Sequence, residues 1–234
     1  MENFIFKKVN PEETELLKQI YRLRLEVYGR ECGFIKEEDY PEGLETDEYD
    51  EQSVHFAALG PGQEVIGTMR MILPGRLKLP IERHCPEIKV ANEEVSGVHV
   101  AEISRLVISK RLRRRKNDGL FYEPQVEDKR VVDEEGREFL RRTKPMAFGL
   151  YRELYQESKR KGITHWYALM EKGLCLLLRI HGFAFVCIGP EVDVYGAVYP
   201  YLGKISQIEE DVRKKFPKFF CYFAETLETK HLES

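Results

Sequence analysis

Apolar residues at Leu16, Ile20, Leu23 and Val27 recur at helical spacing behind Asn10-Pro11-Glu12-Glu13. This pattern predicts an amphipathic helix reaching about Tyr28. Asn10 offers an N-cap side chain, Pro11 suits the first helical position, and the two acids face the positive helix end. Residues 4–9 read as a short strand before it. Residues 53–59, the turn Gly60-Pro61-Gly62-Gln63, and residues 64–73 read as a β-hairpin. A further strand, dense in Val, Ile and Leu, spans 98–109. The second half predicts a helix near 143–160, a strand at 163–170 and a helix at 173–181 that stops at Gly182 as a C′ glycine. Strands at 183–188 and within 194–205 follow. Ser206 and Glu209 form a capping box opening a helix that ends before Pro217. The five aromatics of 216–223 cover the core. Strands and helices in this order make a mixed α/β (α+β) sheet rather than a regular βαβ repeat.

Three stretches interrupt the periodicity. Residues 32–52 are acidic and hold Pro41 and Gly43, as expected of a long loop or lid. Residues 74–95 are irregular. Residues 111–142 are rich in charge, with Asn117-Asp118-Gly119 and Asp133-Glu134-Glu135-Gly136, and read as a partly mobile excursion from the domain.

Composition narrows the function classes. A formal charge of −3 and a pI near 6.1 argue against a dedicated nucleic-acid binder. The charge is uneven: residues 37–51 hold nine acids, whereas Lys110, Arg111, Arg113, Arg114, Arg115 and Lys116 form a basic block. The five cysteines are widely spaced without a CxxC pair, which gives neither a disulfide framework nor a zinc site. The histidines show no metal spacing, so no metal is expected. Reduced thiols, no signal-peptide pattern and no apolar run of about 18 residues point to a cytoplasmic protein.

The most informative residues are charges in apolar strands. Arg70 lies within 64–73, and Glu102 and Arg105 within 98–109. Such positions are costly unless the charge is paired or used. Arg24, Tyr28 and the loop carboxylates Glu45, Asp47 and Asp50 join them in one charged set, and a convergent polar site accounts for all of them. Each part also has a plainer reading: the acidic loop as a solvated face, and Arg70 and Arg105 as structural ion pairs with Glu102 or Asp50.

Arg24 with Tyr28 and Phe34, then Glu45-Thr46-Asp47-Glu48-Tyr49-Asp50, then Gly67-Thr68-Met69-Arg70-Met71-Ile72-Leu73-Pro74, then Glu102-Ile103-Ser104-Arg105 resemble the acyl-homoserine-lactone (autoinducer) synthases in order and spacing. The helix running into His181-Gly182-Phe183 resembles the GNAT acyltransferase fold that those synthases share. The charged insertion looks closest to the exosortase-associated (PEP-CTERM) acyltransferases and the N-acyl amino acid synthases. The resemblance implies one GNAT-like domain over residues 1–234, carrying the insertion at about 111–142. Its central sheet would be mixed and mostly antiparallel, flanked by helices and split between the strands near 98–109 and 163–170.

The implied activity is transfer of a fatty acyl group from an acyl carrier protein thioester to an amine, with acyl-CoA as the other donor and no tightly bound cofactor. Glu45 is then the base, with Glu102 as runner-up. Arg24, Tyr28, Phe34, Asp47, Asp50, Arg70, Ser104 and Arg105 form the substrate-binding set, in which Arg105 and Arg24 take an acceptor carboxylate. The synthases carry tryptophan at the position of Phe34 and phenylalanine at that of Tyr28, so the acceptor is read as an amino acid or similar small amine. An S-adenosylmethionine-dependent lactone synthase and a non-catalytic acyl-binding regulatory module are the alternatives. The glycine-rich pyrophosphate loop of GNAT enzymes is absent, so Lys110, Arg111, Arg113 and Arg114 are read as a surface for the acidic carrier protein. Anionic lipid, through peripheral membrane contact, is a second partner for that block. One geometric condition follows. In a regular strand Glu102 and Arg105 point to opposite faces, so their joint use requires a β-bulge between them.

Overall fold

The computed structural model describes residues 4–88, 99–109, 134–225 and 227. Its strands are β1 (Ile5–Val9), β2 (Ser53–Leu59), β3 (Val65–Ile72), β4 (Val100–Ile108), β5 (His165–Met170), β6 (Val186–Cys187), β7 (Val192–Asp193) and β8 (Ala197–Lys204). The helices are α1 (Thr14–Leu25), α2 (Pro80–His84), α3 (Glu134–Arg160), α4 (Lys172–Ile180), α5 (Ile205–Lys215) and α6 (Pro217–Ala224). Strand pairing follows the order β1-β2-β3-β4-β5-β8-β6, with β7 on β8. β1 with β2, and β8 with β5, β6 and β7, pair antiparallel; β4 and β5 pair in parallel. The parallel register runs from Val100↔His165 to Ile103↔Ala168 and ends there, although β4 continues to Ile108. The mixed, mostly antiparallel sheet flanked by helices is therefore present.

The chain forms two compact units. The first holds residues 1–48, 55–70 and 105–153, and the second 49–54, 71–104 and 154–234. In the first, the apolar stripe of α1 is buried as its spacing predicts. Ile20, Leu23 and Val27 pack with Val9, Ala57, Leu59, Val65 and Val107. Gly149 of α3 makes room for Phe6, since a Cβ there would lie 2.4 Å from the ring. Gly149→Ala is expected to cost about 1–3 kcal/mol by overpacking, with part recovered in a Phe6→Ala background. Urea denaturation of the two single variants and the pair tests this.

In the second unit, Tyr49, Ile72, Leu79, Ile81, Cys85, Val100, Tyr167 and Ile188 form the core. Trp166 is fully buried with its indole N–H donating to Ser158 Oγ at 2.9 Å, so the large ring carries no unsatisfied donor. Among the described residues, no helix is long and apolar enough to cross a membrane.

Several boundaries differ from those the sequence predicts, each for a local reason. Glu13 donates its N–H to the Asn10 carbonyl, and its carboxylate accepts the Asn10 N–H at 2.9 Å. Residues 10–13 therefore close as a turn and α1 opens at Thr14. Ser206 falls inside the first turn of α5, whose N-cap is Lys204. The aromatic tail is itself helical, as α6. The strand expected at 183–188 shrinks to β6. The helix expected from Thr143 opens at Glu134, within the predicted insertion, and the remainder of that insertion, 111–133, lies outside the described residues. Gly182 terminates α4 as predicted, with φ at +90° and the Phe183 N–H returning to the Leu178 carbonyl.

Candidate active site

The first unit assembles the charged set from a helix, two strands and a loop. Arg24 lies in the last turn of α1, Arg70 in β3, and Arg105 in β4. Glu45 and Asp47 come from the acidic loop, which is tied to α1 by the Glu45 N–H donating to the Tyr21 carbonyl at 3.2 Å. Immediately after α1 the backbone widens into a π-helical turn, Glu26–Glu31, with the Cys32 N–H donating to the Val27 carbonyl. Such turns recur at functional sites, and this one carries Tyr28.

The ion pairs are specific. Arg24 Nε donates to Glu45 Oε2, with both side chains essentially sealed from solvent. Arg70 grips Asp47 in a bidentate pair, Nη1 to Oδ1 at 2.5 Å and Nη2 to Oδ2 at 2.9 Å. Arg105 bridges the two carboxylates. Its Nε and Nη2 donate to Glu45 Oε1 at 3.1 and 2.8 Å, and Nη2 also reaches Asp47 Oδ2 at 3.0 Å. The Arg105 guanidinium carbon stands 5.5 Å from the Tyr28 ring centroid, and Tyr28 in turn packs against Phe34 at 6.3 Å.

These contacts set the protonation states. Burial alone would raise the Glu45 carboxyl, but the charges and hydrogen bonds of Arg24 and Arg105 outweigh it and hold Glu45 below its ordinary 4.5. Burial likewise opposes the charge on Arg105, yet Glu45, Tyr28 and Asp47 raise its pKa, so it stays protonated. Burial pushes the Tyr28 phenol up.

Because the folded Glu45 value lies below the unfolded one, its contribution to stability is full above 4.5 and is lost as pH falls through the folded value. The difference in melting temperature between wild type and Glu45→Gln is therefore expected to narrow as pH drops below about 4.5. Melts recorded across that range check it; a difference that stays constant would refute the assignment.

Arg105 differs from its two companions. Its side chain is 16% exposed, against 0% for Arg24 and 2% for Arg70. Its Nη1 makes no hydrogen bond among the described residues. Arg105 also has φ of +53°, a left-handed conformation inside a strand. For a residue with a Cβ this costs about 1–3 kcal/mol and persists only where surrounding contacts fix it. This conformation falls within β4, at one end of the stretch from Glu102 to Arg105 where the sequence calls for a bulge.

Seven residues of the sequence-predicted site thus meet in the first unit: Arg24, Tyr28, Phe34, Glu45, Asp47, Arg70 and Arg105. Arg24 is sealed against Glu45 and has no surface to offer a substrate. Asp50, Glu102 and Ser104 belong to the second unit. Asp50 opens the short 3-10 turn Asp50–Gln52, and Ser104 is half-buried in β4. Glu102 is 2% exposed and accepts the Ile81 N–H at 2.9 Å, the second position of α2. Lys110, Arg111, Arg113 and Arg114 lie outside the described residues.

Tyr21 escaped the sequence reading. Its ring lies 5.2 Å from the Arg24 guanidinium and 5.7 Å from buried His55, edge-on. An aromatic three positions before an arginine on one helix is the signal that would have revealed it. Burial raises the thiols of Cys85 and Cys175, which disfavours a nucleophilic role for either. Among the described residues, no group of three His, Cys, Asp or Glu side chains is placed to hold a metal ion.

Comparison with known proteins agrees with this architecture. Residues 23–123 match the profile of the acetyltransferase (GNAT) domain. No curated protein sequence matches the chain. Among solved structures, the acyl-homoserine-lactone synthase LasI is similar with a TM-score of 0.61 and 17% identity, over 88% of this chain and 91% of that one. BjaI, a CoA-dependent acyl-homoserine lactone synthase solved with SAM and isopentyl-CoA, gives a TM-score of 0.62 and 18% identity, over 91% of this chain and 89% of its own. FeeM, an N-acyl amino acid synthase from uncultured soil microbes, gives 0.55 and 13%, over 92% and 98%. The chain has the fold of these synthases.

Proposed function

We propose that this chain is an N-acyltransferase moving a fatty acyl group from an acyl carrier protein thioester to the amine of a small, carboxylate-bearing acceptor such as an amino acid. The observation that carries the reading is the partly exposed Arg105, clamped by Glu45 and Asp47 and backed by Tyr28, with Nη1 making no hydrogen bond among the described residues. A guanidinium fixed in this way offers the N–H groups of Nη1 to a carboxylate without the entropy cost of ordering a free side chain.

Glu45 is then a positioning residue. A carboxylate held ionised by two arginines is a poor proton acceptor, because a base works best with a pKa near the operating pH. Glu102, the other carboxylate that the resemblance marks, stays a candidate base on the resemblance alone. Asp47 sets the direction of Arg70 and Arg105, and Phe34 with Tyr28 supplies the apolar backing of the acceptor. Asp50 and Ser104 stay in the acceptor-binding set on the resemblance alone.

BjaI is CoA-dependent, so the fold accommodates that donor. The choice of a carrier protein here rests on the sequence, which lacks a glycine-rich loop after β4 and offers the basic residues Lys110, Arg111, Arg113 and Arg114 instead. The five cysteines, all free thiols, suit a cytoplasmic setting.

The test is direct. Purified protein supplied with acyl carrier protein loaded with fatty acids of several lengths, and with a panel of amino acids, should yield N-acyl products detected by mass spectrometry. Absence of transfer to every amine, with the fold intact by circular dichroism, would sink the proposal. The likeness to LasI and BjaI favours one second reading, a lactone synthase. Release of methylthioadenosine from added S-adenosylmethionine would select it.

A further inference from the structure

The second unit exposes several large apolar side chains, Val186 and Tyr195 among them, and three of these lie on α4 or just after α5. Leu176 is 49% and Ile180 60% exposed on α4, and Phe216, between α5 and α6, is 39% exposed. The end of α4 lies against the last turn of α5: the His181 and Phe216 rings stack at 6.5 Å, and a Cβ on Gly182 would lie 2.9 Å from Val212 Cγ2.

Cations surround these side chains. Lys172, Leu176 and Ile180 follow one another at four-residue spacing along one face of α4, and Arg179 is exposed beside them. The last turn of α5 carries Arg213, Lys214 and Lys215, all exposed. Arg213 lies over the Phe220 ring at 4.5 Å. The acids Glu210 and Asp211 precede that turn rather than interleave with it.

We propose that this face docks the protein on an anionic lipid surface. Bulky apolar side chains standing singly among lysines and arginines are the pattern of interfacial binding: the apolar groups enter the acyl boundary while the cations meet lipid phosphates. A protein partner would need a surface shaped to match each protruding side chain, whereas lipid yields to them. The proposal does not depend on the reaction assigned above.

The experiment is co-sedimentation of the full chain with phosphatidylcholine vesicles, with and without phosphatidylglycerol. Binding is expected only to the anionic vesicles and should weaken as salt rises. The triple variant Arg213→Gln, Lys214→Gln, Lys215→Gln should reduce it by about a hundredfold. Ile180→Ser with Phe216→Ser should reduce it without removing the salt dependence. The charge variant alters only exposed positions, so it remains informative if the apolar pair disturbs folding. Wild type that ignores anionic vesicles overturns the proposal, as does a charge variant that binds like wild type. Binding of a soluble acidic carrier protein through these residues, without vesicle binding, also overturns it.

Discussion

Glu45→Gln is expected to destabilise the protein by about 3–5 kcal/mol, the usual cost of removing one partner from a buried ion pair. Glu45 is 1% exposed and Arg24 is 0% exposed. The amide keeps the shape of the side chain but leaves Arg24 charged in a site sealed from water. It also removes one of the two carboxylates that Arg105 bridges. The double variant Glu45→Gln, Arg24→Met should recover a substantial part of the loss, because the stranded charge is then gone. Urea denaturation of the two singles and the double separates the pair energy from packing. A loss below about 1 kcal/mol for Glu45→Gln would mean that the carboxylate carries little of the load.

The second large effect concerns turnover. Arg105→Lys should lower kcat/KM for amino-acid acceptors by about a hundredfold, mostly through KM. A contact to the acceptor carboxylate is made equally in ground and transition states, and losing it raises KM more than it lowers kcat. Lysine keeps the positive charge but cannot clamp two carboxylates and present a further pair of donors at once. An amine acceptor of the same size without a carboxylate should react at similar rates with wild type and variant. If both acceptors suffer equally, Arg105 serves the fold rather than the acceptor.

The apolar periodicities alone specify α1, the β2–β3 hairpin, β4, β5, α4 and α5. These elements bury one stripe or one face, and a helical or alternating period is written directly in the chain. The boundaries that shifted depend on short-range competition the pattern does not record. Glu13 captures the Asn10 N–H, so the expected cap becomes a turn. The aromatics of the tail follow no clean period, and their helix exists because Phe223 packs on Tyr155 and Phe183.

The charged site divides along the same line. The residues that meet within the first unit are ones the sequence had marked, through charges in apolar strands and through the resemblance. The sequence could not assign the pairs. Arg24 lies off the apolar stripe of α1, yet it is the most deeply buried of the three, because a loop about twenty residues later folds its glutamate over it. Asp47 chose Arg70 and Arg105. Glu45 came to lie between Arg24 and Arg105, which hold its carboxyl below its ordinary value, since a carboxylate's pKa depends on which charges surround it and not on its place in a motif. Only the tertiary structure made that decision, because burial and electrostatic partnership are properties of segments brought together from far along the chain, whereas periodicity and residue type belong to each segment alone.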